Sequence, residues 1–119
     1  MISGSTIHDF SNSLIKADKD NTILENLTIE NSIIYNILTS GGDFIDFRKS
    51  AVMNLNINTS TFYNVAPSRD FLRLDEATTS GSGAGNTINV MIDRVTIYAS
   101  SNVNNRRILY VRYQNNDIT

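Results

Sequence analysis

Apolar and polar residues alternate along most of this chain in short runs. In Leu27-Thr-Ile-Glu30, Leu55-Asn-Ile-Asn58 and Val90-Met-Ile-Asp93 the first and third side chains point one way, and the second and fourth point the other. That is the period of a half-buried strand, and the three-and-four spacing of an amphipathic helix is missing from these blocks. The blocks also repeat. Leu27-Thr-Ile-Glu-Asn-Ser-Ile-Ile-Tyr-Asn-Ile37 returns as Leu55-Asn-Ile-Asn-Thr-Ser-Thr-Phe-Tyr-Asn-Val65 and, less closely, as Val90-Met-Ile-Asp-Arg-Val-Thr-Ile-Tyr-Ala-Ser100. Its second half opens the chain as Ser5-Thr-Ile-His-Asp-Phe10. Between the copies lies a second block: Phe44-Ile-Asp-Phe-Arg48, Phe71-Leu-Arg-Leu-Asp75 and Ile108-Leu-Tyr-Val-Arg112, with a weaker first copy in Leu14-Ile-Lys-Ala-Asp18.

Marked by Ser5, Ser32, Ser60 and Val95, the repeats are 27, 28 and 35 residues long. A unit of this length holds about three short strands and cannot bury its own apolar face, so copies must stack. The pattern therefore predicts an all-β fold, a right-handed parallel β-helix of about four rungs with three short strands each, occupying residues 1–119 as one domain. Handedness rests on the general preference for right-handed parallel connections and on the family resemblance described below, not on spacing. The longest repeat has a visible cause in residues 78–86, Thr-Thr-Ser-Gly-Ser-Gly-Ala-Gly-Asn, turn formers with no apolar anchor that read as a protruding Gly/Ser loop.

Stacking at roughly 4.8 Å per rung converts the alignment into columns. Ile15, Ile45, Leu72 and Leu109 form one inward column; Ala17, Phe47, Leu74 and Val111 form the next; Ile7, Ile34, Phe62 and Ile97 form a third. Asp9, Asn36 and Asn64 share a corner just after the second strand, where an amide can tolerate a turn conformation and bond its equivalents above and below. Outward positions of the third strand read Lys16, Asp46, Arg73 and Tyr110, then Asp18, Arg48, Asp75 and Arg112, with charges alternating in sign. Such a checkerboard suits a solvated face, where opposite neighbours stabilise by about 0.2–1 kcal/mol per pair. The same acids beside Arg or Lys would also suit binding of a uronate, of Ca²⁺ or of a proton, although ion pairing holds a carboxylate's proton affinity low rather than near neutrality. Tyr35, Tyr63 and Tyr98, with His8 below, make an outward aromatic column that serves either as a stabilising ladder or as a platform for sugar rings.

Composition narrows the rest. About a third of the chain is Asn, Ser or Thr, the net charge is -2, and there are no cysteines. A basic nucleic-acid face, a disulfide scaffold, a thiolate metal site and a cysteine nucleophile are excluded, and no apolar run approaches the length of a membrane helix. His8 is the only histidine, which leaves little for a His-based metal site or a Ser-His-Asp triad. Gly81-Ser-Gly-Ala-Gly85 lacks the Gly-Lys-Ser/Thr ending of a phosphate loop, Asp18-Lys-Asp-Asn21 lacks a closing glutamate, and the sequons at Asn26 and Asn58 are expected by chance in so Asn-rich a chain.

The run Asp43-Phe-Ile-Asp-Phe-Arg48, the block Leu55–Val65 and Arg69-Asp-Phe-Leu-Arg-Leu-Asp75 resemble the pectate-lyase-like β-helix domains of unknown function found in exported Bacteroidetes proteins, over roughly residues 22–115. The resemblance implies a secreted or cell-surface protein connected with polysaccharide capture or breakdown, and it transfers no catalytic residues. Without an export signal or an end cap in view, the expectation is a segment of a longer solenoid whose further rungs continue the coil. The first functional expectation is a non-catalytic carbohydrate-binding or structural segment of an extracellular polysaccharide-utilisation protein, with Tyr35, Tyr63 and Tyr98 as binding residues, polysaccharide as partner and no cofactor. The alternative is part of a polysaccharide lyase or glycoside hydrolase acting on acidic glycans through Asp46, Arg48, Arg73 and Asp75, with Ca²⁺ entering only in that case. A rigid adhesin or phage-spike stalk would use the same coil.

Overall fold

A computed structural model describes residues 1–17, 23–39, 42–47, 51–75, 89–98 and 107–112. The described elements are all strands, and each of three parallel sheets takes one strand from each rung. The first sheet holds β1 (Ile2–Ser3), β4 (Ile23–Glu30), β7 (Ala51–Asn58) and β10 (Asn89–Asp93) in that order. The second holds β2 (Thr6–Phe10), β5 (Ile33–Thr39), β8 (Thr61–Pro67) and β11 (Thr96–Tyr98). The third holds β3 (Ile15–Lys16), β6 (Ile45–Phe47), β9 (Leu72–Asp75) and β12 (Leu109–Arg112). This is a right-handed parallel β-helix of four rungs. The Gly/Ser loop expected at residues 78–86 lies outside the described residues.

The register reproduces the columns residue for residue. Ile15, Ile45, Leu72 and Leu109 pair in sequence up the third sheet, and Ile7, Ile34, Phe62 and Ile97 do so up the second. Phe47, Leu74 and Val111 are partners in the same backbone register, with Ala17 joined below through its N–H to the Asp46 carbonyl. Rungs with a neighbour on both sides bury these residues completely: Ile34, Ile45, Phe47, Phe62, Leu72 and Leu74 are each 0% exposed. Burying such a side chain contributes about 1.5–3 kcal/mol. Ile7, Ile15, Ile97 and Leu109, in the first and fourth rungs, are only half-buried. Phe44, Phe62 and Phe71 meet in the middle of the coil, Phe62 lying edge-on to Phe44 at 6.1 Å and to Phe71 at 5.0 Å.

Two corners are cut by single left-handed residues. Gly4, Asn31, Thr59 and Arg94 have φ of 57°, 49°, 45° and 50° and turn the chain from the first sheet into the second. Gly and Asn adopt this conformation readily, whereas Thr59 and Arg94 do so at a cost of order 1–2 kcal/mol. The parallel ladder holds the first three in place, since Gly4, Asn31 and Thr59 donate their N–H groups to the carbonyls of Glu30, Asn58 and Asp93 in the next rung. The serine after each corner acts as a bridge. The Ser5 and Ser32 N–H groups donate to the hydroxyls of Ser32 and Ser60, both at 3.2 Å, and each hydroxyl donates to the carbonyl two residues earlier. Val95 ends this column.

The second corner is the Asp9, Asn36, Asn64 column, with φ of 59°, 54° and 52°. It sits within the strands of the second sheet rather than after them. The pairing passes from His8–Tyr35 to Phe10–Ile37, so the left-handed residue bends the strand and returns the next side chain, Phe10 or Ile37, to the interior. The Asn36 amide donates to Asp9 Oδ1 at 3.0 Å and the Asn64 amide to Asn36 Oδ1 at 2.8 Å. A second, exposed amide ladder runs through Asn26, Asn54 and Asn89 on the first sheet, at 3.1 and 2.9 Å.

Candidate functional site

The outward face of the second sheet carries the aromatic column. Alternation along β2, β5, β8 and β11 places His8, Tyr35, Tyr63 and Tyr98 in one register position. The parallel spacing of the rungs matches an offset aromatic stack, and the rings use it. His8 lies on Tyr35 with centroids 4.8 Å apart and planes 8° apart, and Tyr35 lies on Tyr63 at 4.7 Å and 4°. Both faces of Tyr35 are therefore occupied by its neighbours, which leaves its edge and hydroxyl for solvent. Tyr63 is 38% exposed, and among the described residues no second ring covers its face toward the fourth rung. Tyr98 continues the register there at 65% exposure.

Electrostatics around this ridge are set at its lower end. His8 Nδ1 lies 2.7 Å from Asp9 Oδ2. Its hydrogen bond, followed by that from the Asn36 amide, holds the Asp9 carboxyl below its usual range despite some loss of hydration. The Tyr63 phenol is pushed above its ordinary value, chiefly by partial desolvation and then by Tyr35 and Asp9 nearby, so it remains a neutral donor across the physiological range.

The third sheet differs from the solvated checkerboard expected of it. Lys16, Asp46, Arg73 and Tyr110 do form one column, but Asp46 is buried at 1% exposure rather than facing water. All three residues of β6 are buried, and the Arg73 side chain, only 17% exposed, reaches down one rung so that its Nη1 lies 3.4 Å from Asp43 Oδ2. Asp75 and Arg112 pair in backbone register at the ends of β9 and β12. The remaining members of that second column, Asp18 and Arg48, lie outside the described residues.

Beside Asp46 and Arg73 stands a cluster that the charge columns did not include. Asp43 is fully buried and accepts the Asp70 N–H at 3.0 Å. Asp70, with its side chain 2% exposed, accepts a bidentate contact from Arg107 at 2.8 and 3.1 Å. The Arg107 guanidinium, its proton affinity raised first by that contact, also lies over the Tyr110 ring at 4.1 Å, with Arg73 at 5.4 Å from the same ring. The sequence did carry a signal for this cluster: an aspartate immediately precedes the buried phenylalanine in both Asp43-Phe44 and Asp70-Phe71. Each of these carboxylates is engaged by backbone or guanidinium groups, and among the described residues no three acids or histidines gather as a metal site. The cluster ties neighbouring rungs together. The ridge presents ring edges and phenol hydroxyls to solvent, with Tyr63 and Tyr98 exposed.

Comparison with known proteins adds one match. No curated protein and no solved structure matches the chain. The family described as Domain of unknown function (DUF4957) matches residues 1–65, from the start of the chain through Val65 of β8, and so takes in His8, Tyr35 and Tyr63 of the ridge as well as Asp43 and Asp46. With more than half of its length matched, the chain belongs to this family, Domain of unknown function (DUF4957).

Proposed function

We propose that the chain is a non-catalytic carbohydrate-binding segment of a pectate-lyase-like β-helix, serving polysaccharide capture outside the cell or at its surface. The single observation that carries this reading is the exposed aromatic ridge, stacked from His8 through Tyr63 and continued in register by Tyr98. Rings locked by their neighbours lose little entropy on binding, and a tyrosine pairs an apolar body with a polar tip, as a sugar does. The stacking also divides the work among the three tyrosines. Tyr35 supports the ridge and offers its hydroxyl, while the uncovered face of Tyr63 and the ring of Tyr98 supply apolar surface for sugar C–H groups. The extracellular setting and the further rungs of a longer parent coil rest on the resemblance to exported Bacteroidetes domains. No cofactor enters this reading.

The test is glycan-array or polysaccharide pull-down binding by the wild type and by Tyr63→Ala/Tyr98→Ala, with circular dichroism to show an unchanged fold. The expected result is binding by the wild type that falls at least about ten-fold in the variant, as loss of about 1.4 kcal/mol of contact energy would give. Binding that survives the double replacement overturns the placement of the site on this ridge. The lyase or hydrolase alternative, acting through Asp46, Arg48, Arg73 and Asp75 with Ca²⁺, draws support from one observation, a buried acid one rung below an arginine. Against it, Arg73 is already engaged by Asp43 and so is poorly disposed to grip a uronate. Release of ultraviolet-absorbing unsaturated uronate, abolished in Arg73→Ala, would establish the alternative in its lyase form.

A further inference from the structure

We propose that the ligand of the ridge is an uncharged, extended glycan chain lying parallel to the coil axis, with one sugar per rung. This rests on the carbohydrate-binding reading and goes beyond it by fixing the ligand's charge class, its direction and the number of sugars engaged. Two residues before each ring, on the same outward face, a second column runs through Thr6, Ile33, Thr61 and Thr96 in register. Thr6, Ile33 and Thr96 are exposed and Thr61 half-exposed. The face is thus a shelf of side chains repeating at about 4.8 Å along the axis, bounded on one side by the taller aromatic ridge.

Three features of this shelf select the ligand. Taken together, the two columns put at least one hydroxyl on every rung (Thr6, Tyr35, Thr61 with Tyr63, and Thr96 with Tyr98), so a ligand that uses one per rung must repeat over a comparable distance, which an extended glycan chain does and a compact oligosaccharide does not. A chain laid across the coil would meet one threonine and one ring and then leave the sheet. The ring stacking argues the same way: with both faces of Tyr35 covered, a sugar meets ring edges and hydroxyls along the stacked part of the ridge, and among the described residues no ring is stacked on the Tyr63 face toward the fourth rung or on Tyr98. Finally, neither column carries an Asp, Glu, Lys or Arg, and the carboxylate that acts on the Tyr63 phenol is that of Asp9, whose proton affinity is lowered by His8 and Asn36. In a chain of net charge -2, that arrangement repels uronates and leaves neutral sugars unaffected.

Calorimetric titration of the whole chain with β-1,4-linked gluco-, manno- and xylo-oligosaccharides of one to six units, and with oligogalacturonides of the same lengths, tests the proposal. The expected result is affinity for at least one neutral series that climbs with each sugar to about four and then levels, with uronates at least about ten-fold weaker. Tyr63→Phe, which keeps the ring and removes the hydroxyl, and Thr61→Val, of nearly the same shape, should each weaken the tetramer about three- to ten-fold, the worth of one hydrogen bond. Affinity already complete at one or two sugars overturns the axial chain while leaving carbohydrate binding intact. Tighter binding of oligogalacturonides overturns the neutral class in the same way. Absence of binding across every series overturns both this proposal and the reading on which it rests.

Discussion

Arg107→Ala and Asp70→Ala each remove one side of the same bidentate contact, but the two sides have different surroundings. The Asp70 side chain is 2% exposed and the Arg107 side chain 56%. When Asp70 is shortened, the Arg107 guanidinium turns to water it already partly sees, so the loss is two charge-assisted hydrogen bonds discounted for exposure, about 1–2 kcal/mol. When Arg107 is shortened, the Asp70 carboxylate stays in place beneath the fourth rung without its guanidinium. A stranded buried charge costs about 3–5 kcal/mol, and water entering through the space that Arg107 vacates reduces this to about 2–4. Loss of the contact with Tyr110 adds about 0.5–1 kcal/mol. The exposed residue should thus be the more costly one to remove. Urea denaturation followed by far-UV circular dichroism measures both variants and the double variant, which should be more stable than Arg107→Ala alone because the stranded charge is gone. Equal losses from the two single variants, or a double variant with their summed loss, would refute the reasoning.

Three further outcomes follow from the coil. Phe62→Ala, at a fully buried position edge-on to Phe44 and Phe71, should cost about 3–5 kcal/mol by denaturant titration; Phe62→Ile, which installs the residue found at this position in the other three rungs, should cost about 1–2. Asn36→Ala should destabilise by about 1–3 kcal/mol, combining a left-handed alanine with loss of the amide ladder, and Asn36→Gly by about 1 kcal/mol less, since glycine removes only the ladder. Because the Asp9 carboxyl is held below its unfolded value, its contacts with His8 and Asn36 contribute stability above about pH 3.9 that is lost as pH falls through the lowered folded value. Acid titration should accordingly show the wild type losing more stability than Asp9→Asn over that range.

Most of the coil was legible because stacking turns sequence repetition into spatial columns. Once Leu27–Ile37 is aligned with Leu55–Val65, the inward columns, the aromatic ridge and the Asp9–Asn36–Asn64 ladder all follow from one register. Features without a chemically uniform repeat were not legible. The corner of Gly4, Asn31, Thr59 and Arg94 mixes two residues suited to the left-handed region with two that are not, and at Thr59 a backbone hydrogen bond to the next rung holds that conformation from outside. Asp46 reads as a surface charge by strand alternation, yet alternation says only which face a side chain takes and not what covers that face. Arg107 stands where the lower rungs carry Asp43 and Asp70, so a column defined by like residues passes it over, although opposite charge is what makes it fit. On the ridge, the register was readable, but the covering of both Tyr35 faces was not, because stacking depends on ring orientation.

The claim that the ridge is the working surface is tested most directly by mapping ligand-induced shifts of the side-chain resonances of all five tyrosines while a binding polysaccharide fragment is added. The account predicts shifts concentrated at Tyr63 and Tyr98, smaller at Tyr35, and none at Tyr110 beside the Arg107–Asp70 pair. Shifts centred on Tyr110 with the ridge unmoved would contradict it and place the ligand on the charged third sheet.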